Sequence, residues 1–204
     1  NILSDVNWVD GWEHNLKKLA NSPNIHASNF DTFPSAYQKD GRGNVCPATI
    51  ILPTLAMEAK RNTELFFSIL KDTIGQCKDS LLDRFNLICM QSPASAKFMY
   101  ENNVMLGYNP KDGIRSAMQH GTLAIGQIGL AETLQILIGK NHTTPEGMEL
   151  AIKIEQLFMD MVAEYKKEYN LNFGVYYTPA ENLCYTSMRK FRVQYGVIPN
   201  VSDR

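Results

Sequence analysis

Apolar positions along the chain follow two rhythms that alternate. From Asn62 to about Leu87, Leu65, Phe66, Ile69, Leu70, Ile74, Cys77 and Leu81 return every three or four residues. That spacing predicts one face of a helix, capped by Asn62 or Thr63. A second long helix is predicted over TTPEGMELAIKIEQLFMDMVAEYKKEYN, with Thr144 ahead of Pro145 in the first turn. Its stripe runs through Met148, Ile152, Glu155, Met159, Val162 and Lys166, and Leu157, Phe158 and Tyr165 widen it. Between the helical stretches lie short apolar runs. ATIILP, ending at Pro53, predicts a buried strand, with TLAMEAK turning helical after the proline. Leu123, Ile125 and Ile128 in GTLAIGQIG fit a strand or a buried turn, and LAETLQILIG then fits a helix closing at Gly139. LNFGVYY predicts a strand, and PAENLCYTSMRKFRVQYG a helix ending at Gly196. SPASAKFMYENN predicts a shorter helix from Pro93, and GYNPKDG a turn. Residues 1–43 are polar and irregular, a loop with one short helix carrying Trp12, Leu16 and Leu19. Single strands alternating with long helices over 44–204 predict an α/β architecture.

Composition narrows the classes. The 204 residues are 44% hydrophobic and 20% charged, as in soluble globular proteins. This length suits one domain or a large part of a bigger one. A net charge of -1 lacks the basic excess of a nucleic-acid-binding domain. No apolar run approaches the ~20 residues that span a bilayer, and NILSDVNWVD has neither the basic region nor the apolar core of a signal peptide. The chain starts without Met and ends in IPNVSDR, a loop leading onward, so a fragment of a longer protein is expected. Cys46, Cys77, Cys89 and Cys184 form no CxxC pair. No metal site is therefore expected in this segment, and each thiol reads as a small buried hydrophobe in a reducing compartment.

Candidate chemistry concentrates at the last strand-to-helix junction. Thr178-Pro179-Ala180-Glu181 has the form of a capping box, with Thr178 at the N-cap, Pro179 at the first helical position and Glu181 three residues on. The plain reading is a helix start and nothing more. The functional reading is an anion site, because a helix start at the C-terminal end of a strand presents free N–H groups and partial positive charge. Glu181 opposes an anion unless it points away, toward a substrate hydroxyl. GRGN, ending at Asn44, is either a tight loop or a polar side chain delivered to a pocket. GTLAIGQIG has neither the G-x-G-x-x-G order nor a Lys, so it reads as close packing of strand and helix. His14, His26, His120 and His142 show no metal-ligand spacing and read as structural or exposed. Glu132 and Glu155 read as buried partners for Arg115, Arg189 or Arg192.

Three blocks, GRGNVCPATIILPTLAMEA, SAMQHGTLAIGQIGLAETLQILIG and NFGVYYTPAENLCYTSMRKF, resemble successive blocks of the anaerobic (class III) ribonucleoside-triphosphate reductases, which are glycyl radical enzymes. The resemblance implies a helix-rich fragment of a ten-stranded α/β barrel, with 1–43 preceding the barrel part at 44–204. It implies ribonucleotide reduction in the parent protein through a thiyl radical raised by a glycyl radical, with formate or a thiol protein as reductant. Thr178, Pro179, Ala180, Glu181 and Asn182 match the family segment that holds substrate phosphates. Asn44 matches an asparagine near the ribose, a catalytic role. Cys46 receives no radical role. The parent is expected to be a cytoplasmic homodimer with ATP and dNTP effectors bound outside or only partly within this segment. Its radical is expected from an S-adenosylmethionine/iron-sulfur activase, and its structural zinc site lies outside the segment. The finger-loop Gly-Cys-Arg block and the glycyl radical motif are absent here, so the segment alone is expected to be inactive. A formate-lyase-type relative would carry an adjacent Cys-Cys pair, which this chain lacks. A non-enzymatic phosphate- or nucleotide-binding α/β module is the alternative.

Overall fold

The computed structural model describes residues 43–102, 104–105 and 107–203. The short helix and loop expected over the first 42 residues, with His14 and His26, lie outside the described residues. Three strands, β1 (Ala48–Ile51), β2 (Thr122–Ile128) and β3 (Asn172–Tyr177), form one sheet in the order β1-β2-β3. Both pairings are parallel, with Ala48 opposite Ile125 and Ile125 opposite Val175. Parallel neighbours need crossovers, and helices supply them. The α/β reading therefore holds among the described residues.

The first crossover carries α1 (Leu52–Glu58), α2 (Thr63–Cys89), a 3₁₀ turn (Pro93–Ala96), α3 (Lys97–Glu101) and α4 (Arg115–Met118). β1 stops at Ile51, two residues short of the expected strand end. Pro53 has no N–H to give a ladder, and its fixed φ suits the first turn of α1, where it sits. α2 is capped as expected: Asn62 Oδ1 accepts from Leu65 N at 2.9 Å. Phe66, Leu70, Ile74, Leu81 and Phe85 are its buried stripe, and Leu65 stays exposed.

The second crossover carries α5 (Leu130–Ile138) and α6 (Pro145–Tyr169), and α7 (Glu181–Tyr195) follows β3. Gly139 ends α5 at φ 68, a left-handed cap that costs a residue with a Cβ about 1–2 kcal/mol. Thr144 caps α6, its Oγ1 accepting from Gly147 N at 3.2 Å. The phase of α6 differs from expectation. Leu150, Ala151, Ile154, Phe158, Val162 and Tyr165 face inward, whereas Met148, Ile152 and Met159 are 45, 58 and 56% exposed. Apolar residues cover more than one face of this helix, so periodicity leaves its rotation open. Gly147 helps settle it: a Cβ there would lie 1.9 Å from Asn141 O.

Strand alternation gives the sheet two unlike faces. Ile50, Leu123, Ile125 and Phe173 are buried on the face toward α2 and α6, where the Phe173 ring lies 5.7 Å from Tyr165 and 6.1 Å from Tyr169. The other face carries small and hydroxylated residues: Thr49, Thr122, Ala124, Gly126, Gly174 and Tyr176. Among the described residues no helix is long and apolar enough to cross a membrane.

Candidate functional site

The C-terminal edge of the sheet is built by Ile51, Ile128 and Tyr177, where β1, β2 and β3 all end. Past Tyr177 the chain makes the turn the sequence singled out, by other means than a capping box. Thr178 does not cap α7. Its Oγ1 is 2.8 Å from Thr49 Oγ1, which also lies 3.2 Å from Tyr176 OH. Pro179 precedes the helix rather than opening it. The N-cap is Ala180, at φ 63 and ψ -21, with no side-chain cap. Leu183 N and Cys184 N close the first turn on Ala180 O, at 2.6 and 3.2 Å. The earlier N–H groups of a helix have no intrahelical acceptor. They therefore present donors and the positive end of a 15-residue helix at the sheet edge.

Gly126 is the close-approach position beneath this turn. A Cβ there would lie 2.4 Å from Thr178 Oγ1 and 2.4 Å from the Tyr176 ring. Thr49, Tyr176 and Thr178 thus form a hydroxyl cluster that leans over a glycine floor on one face. Close packing describes its role, but against the neighbouring strand and the turn after it, where GTLAIGQIG predicts strand against helix. A cavity of about 140 Å³ opens at the same edge. Ile51, Ile128, Met188 and Phe191 line it, with Glu132 and the buried Ser187 hydroxyl as polar groups.

The opposite face carries a second polar group at the edge. Gln127 Nε2 donates to Glu155 Oε1 at 2.6 Å, and Tyr177 OH donates to Glu155 Oε2 at 2.9 Å. Glu155 is therefore partnered, but by an amide and a phenol instead of an arginine. Arg115 reaches Asn86 Oδ1 at 2.6 Å and stacks over the Phe85 ring. Burial, then Glu155, pushes the Tyr177 phenol up.

Thr178–Asn182 come together in one turn, with Asn182 exposed. Asn44 does not join them. It is exposed and pairs with Thr122 in a parallel bridge at the other end of the sheet. Five residue steps along β2 carry the chain from Thr122 to Gln127, in register with Tyr177, about 16 Å at ~3.3 Å per step. Cys46 is buried, its Sγ donating to Leu81 O at 3.6 Å, and burial pushes its thiol up against the opposing pull of Arg84. Cys77 and Cys89 are half-buried, and Cys184 is exposed, against the expectation of a buried thiol. A helix turning its outer face to solvent carries Cys184 with Tyr185. His142 is exposed. Among the described residues no three His, Cys, Asp or Glu side chains cluster to hold a metal ion.

Thr49, Tyr176, Gln127 and Tyr177 escape a reading of motifs. Alternation marks Tyr176 alone, spaced with Gly174 and Thr178 as Thr122, Ala124 and Gly126 are in β2; Thr49, Gln127 and Tyr177 carry no such signal.

A family model for anaerobic ribonucleoside-triphosphate reductase matches residues 15–204. Two proteins described as anaerobic ribonucleoside-triphosphate reductase are similar. That of Escherichia coli K12 is 28% identical over 170 residues, 81% of this chain and 24% of the relative. That of Enterobacteria phage T4 is 26% identical over 172 residues, 81% and 27%. The chain thus spans about a quarter of these relatives' length. The anaerobic ribonucleotide reductase of Thermotoga maritima, solved with glycerol in the active site, superposes with a TM-score of 0.63 at 23% identity, covering 76% of this chain and 25% of that one. Its complex with dATP and CTP gives 0.63 at 22% with the same coverage. At that identity the likeness speaks for the fold.

Proposed function

The chain belongs to the anaerobic ribonucleoside-triphosphate reductase family, and from that premise we propose that it supplies the substrate-phosphate anchor of a ribonucleotide-reducing barrel. The observation that carries this reading is the Thr178–Asn182 turn, which sets the start of α7 at the C-terminal edge of a parallel sheet. Ligands of open α/β sheets gather at that edge. Backbone N–H groups there bind phosphate oxygens directly, and the helix dipole adds to the attraction. Asn182 stands in the first turn as a further donor.

In this reading β1, β2 and β3 are consecutive staves of the ten-stranded barrel. The face with Thr49, Gly126 and Tyr176 looks inward, and α2 and α6 form the outer layer. Residues 44–204 are the barrel part, preceded by 1–43. A ribose contact from Asn44, the proposed catalytic contact, requires the substrate to run along the strands toward their N-terminal ends. The whole protein converts ribonucleoside triphosphates to deoxyribonucleotides by radical chemistry. Its glycyl radical, the activase that installs it and the zinc site are assigned outside these residues, and the ATP and dNTP effector sites outside or only partly within them. The parent is proposed to act as a cytoplasmic homodimer. Family membership disfavours the non-enzymatic module and the formate-lyase type.

The test is made in the complete reductase. Asn182→Ala removes a phosphate donor and Thr178→Ala the Thr49 bond that holds the turn, so together they should raise KM for the ribonucleoside triphosphate about 10-fold, with kcat changed far less, because ground-state phosphate binding is what they weaken. An unchanged KM overturns the assignment.

A further inference from the structure

Gln127 is a polar side chain near the end of a buried strand, 3% exposed, between Gly126 and Ile128. Burying an amide there is unfavourable unless it is bonded. Only half of it is: Nε2 donates to Glu155, and Oε1 has no hydrogen-bond partner among the described residues. Stability alone would favour an apolar residue at this position. The geometry around it points elsewhere. Gln127 and Tyr177 are register partners on the last rung of the β2–β3 ladder. The backbone bond that extends this rung, Thr178 N to Gln127 O, is long at 3.4 Å. Glu155 bridges the two side chains of the rung with its two oxygens. It does so from mid-α6, between Ile154 and Phe158, both fully buried. Immediately beyond, Ala180 adopts a left-handed conformation that its Cβ disfavours.

We infer that Glu155 is a positioning residue for the substrate-phosphate turn, acting through Gln127 and Tyr177 to fix where β3 ends and α7 begins. The inference rests on the phosphate-anchor reading above. On the inner face Thr49 holds Thr178, and on the outer face Glu155 holds Tyr177, so two consecutive residues are clamped from opposite sides of the sheet. A turn left with one clamp would sample other placements of its N–H groups and bind phosphate in only a fraction of them.

The experiment uses the complete reductase, with steady-state kinetics on a ribonucleoside triphosphate and thermal unfolding of each variant. Tyr177→Phe removes one hydroxyl from an exposed ring. It should raise KM about 5-fold and leave kcat within about 2-fold. Glu155→Ala should raise KM about 10-fold, and the double variant should do no worse than Glu155→Ala, because both act through one bond. Glu155→Gln, whose amide oxygen still accepts from Tyr177, should return KM to within about 2-fold of the parent. If Tyr177→Phe leaves KM unchanged while Thr178→Ala with Asn182→Ala raises it, the anchor stands and the positioning role falls. If neither moves KM, both fall. Effects of Tyr177→Phe and Glu155→Ala that simply add also overturn it. Should Glu155→Ala fail to fold, Tyr177→Phe decides.

Discussion

Gly126→Ala adds one methyl group where the structure has least room for it. The new Cβ would stand 2.4 Å from Thr178 Oγ1, 2.4 Å from Tyr176 Cε1 and 2.9 Å from Tyr176 Cζ. Thr178 escapes by rotating its hydroxyl, which breaks its 2.8 Å bond to Thr49. Tyr176 has a rigid ring and must retreat by about 1 Å to reach ordinary carbon contact near 3.5 Å. That strains its 3.2 Å contact with Thr49 as well. Overpacking of this kind costs about 1–3 kcal/mol, and each lost hydroxyl bond about 1 kcal/mol. Alanine recovers about 0.5–1 kcal/mol over glycine within a strand. The net destabilisation is about 2–3 kcal/mol, a fall in Tm of about 4–12 °C for a domain of this size. Displacing Thr178 also shifts the turn, so KM for the ribonucleoside triphosphate should rise about 10-fold. Gly174→Ala is the control on the same face, since its Cβ would meet only Thr122 Cγ2, at 3.1 Å. Thermal unfolding and substrate titration of both variants in the complete protein give the answer. Gly126→Ala matching the parent, or matching Gly174→Ala, in both measurements would refute the reasoning.

Two further outcomes follow from burial. Maleimide labelling at pH 8, read by mass spectrometry, should modify exposed Cys184 first. Cys46, Cys77 and Cys89, whose thiols burial pushes up, should lag because little thiolate is present; equal rates at all four would contradict this. Lys166 has its ammonium pushed down by burial, so its folded pKa lies below the unfolded value near ~10.4. The unfolded chain then binds more protons between those two values, and native stability rises with pH across that window. Lys166→Met should therefore raise Tm at pH 7 by a margin that shrinks at pH 10, and a constant margin would show that the charge is not the cause.

What could be read from residue order alone divides by range. Asn62, Thr144 and Gly139 act within four residues of themselves, and the caps they predict are present. Pro53 and Pro179 set local φ, yet each element boundary beside them moved by one or two residues. The capping box failed because the Thr178 hydroxyl has a partner 129 residues away, Thr49, and no local pattern reports that bond. Glu155 was legible as a partnered acid, but its partners come from β2 and β3, which only the sheet register brings together. The rotation of α6 was ambiguous because Met148, Ile152 and Met159 look as apolar as the face that is buried. Asn44 and Thr178–Asn182 were both legible as motif positions. Their separation to opposite sheet ends depends on strand direction, which a motif does not carry. The family blocks were legible because each is contiguous, and the match over residues 15–204 agrees with them.

The most direct test of the central claim is a structure of the complete reductase with a ribonucleoside triphosphate bound. The account predicts phosphate oxygens within hydrogen-bond reach of the backbone N–H groups from Ala180 to Asn182, with Tyr177 still on Glu155. Phosphates held elsewhere, with the start of α7 free of ligand, would contradict it.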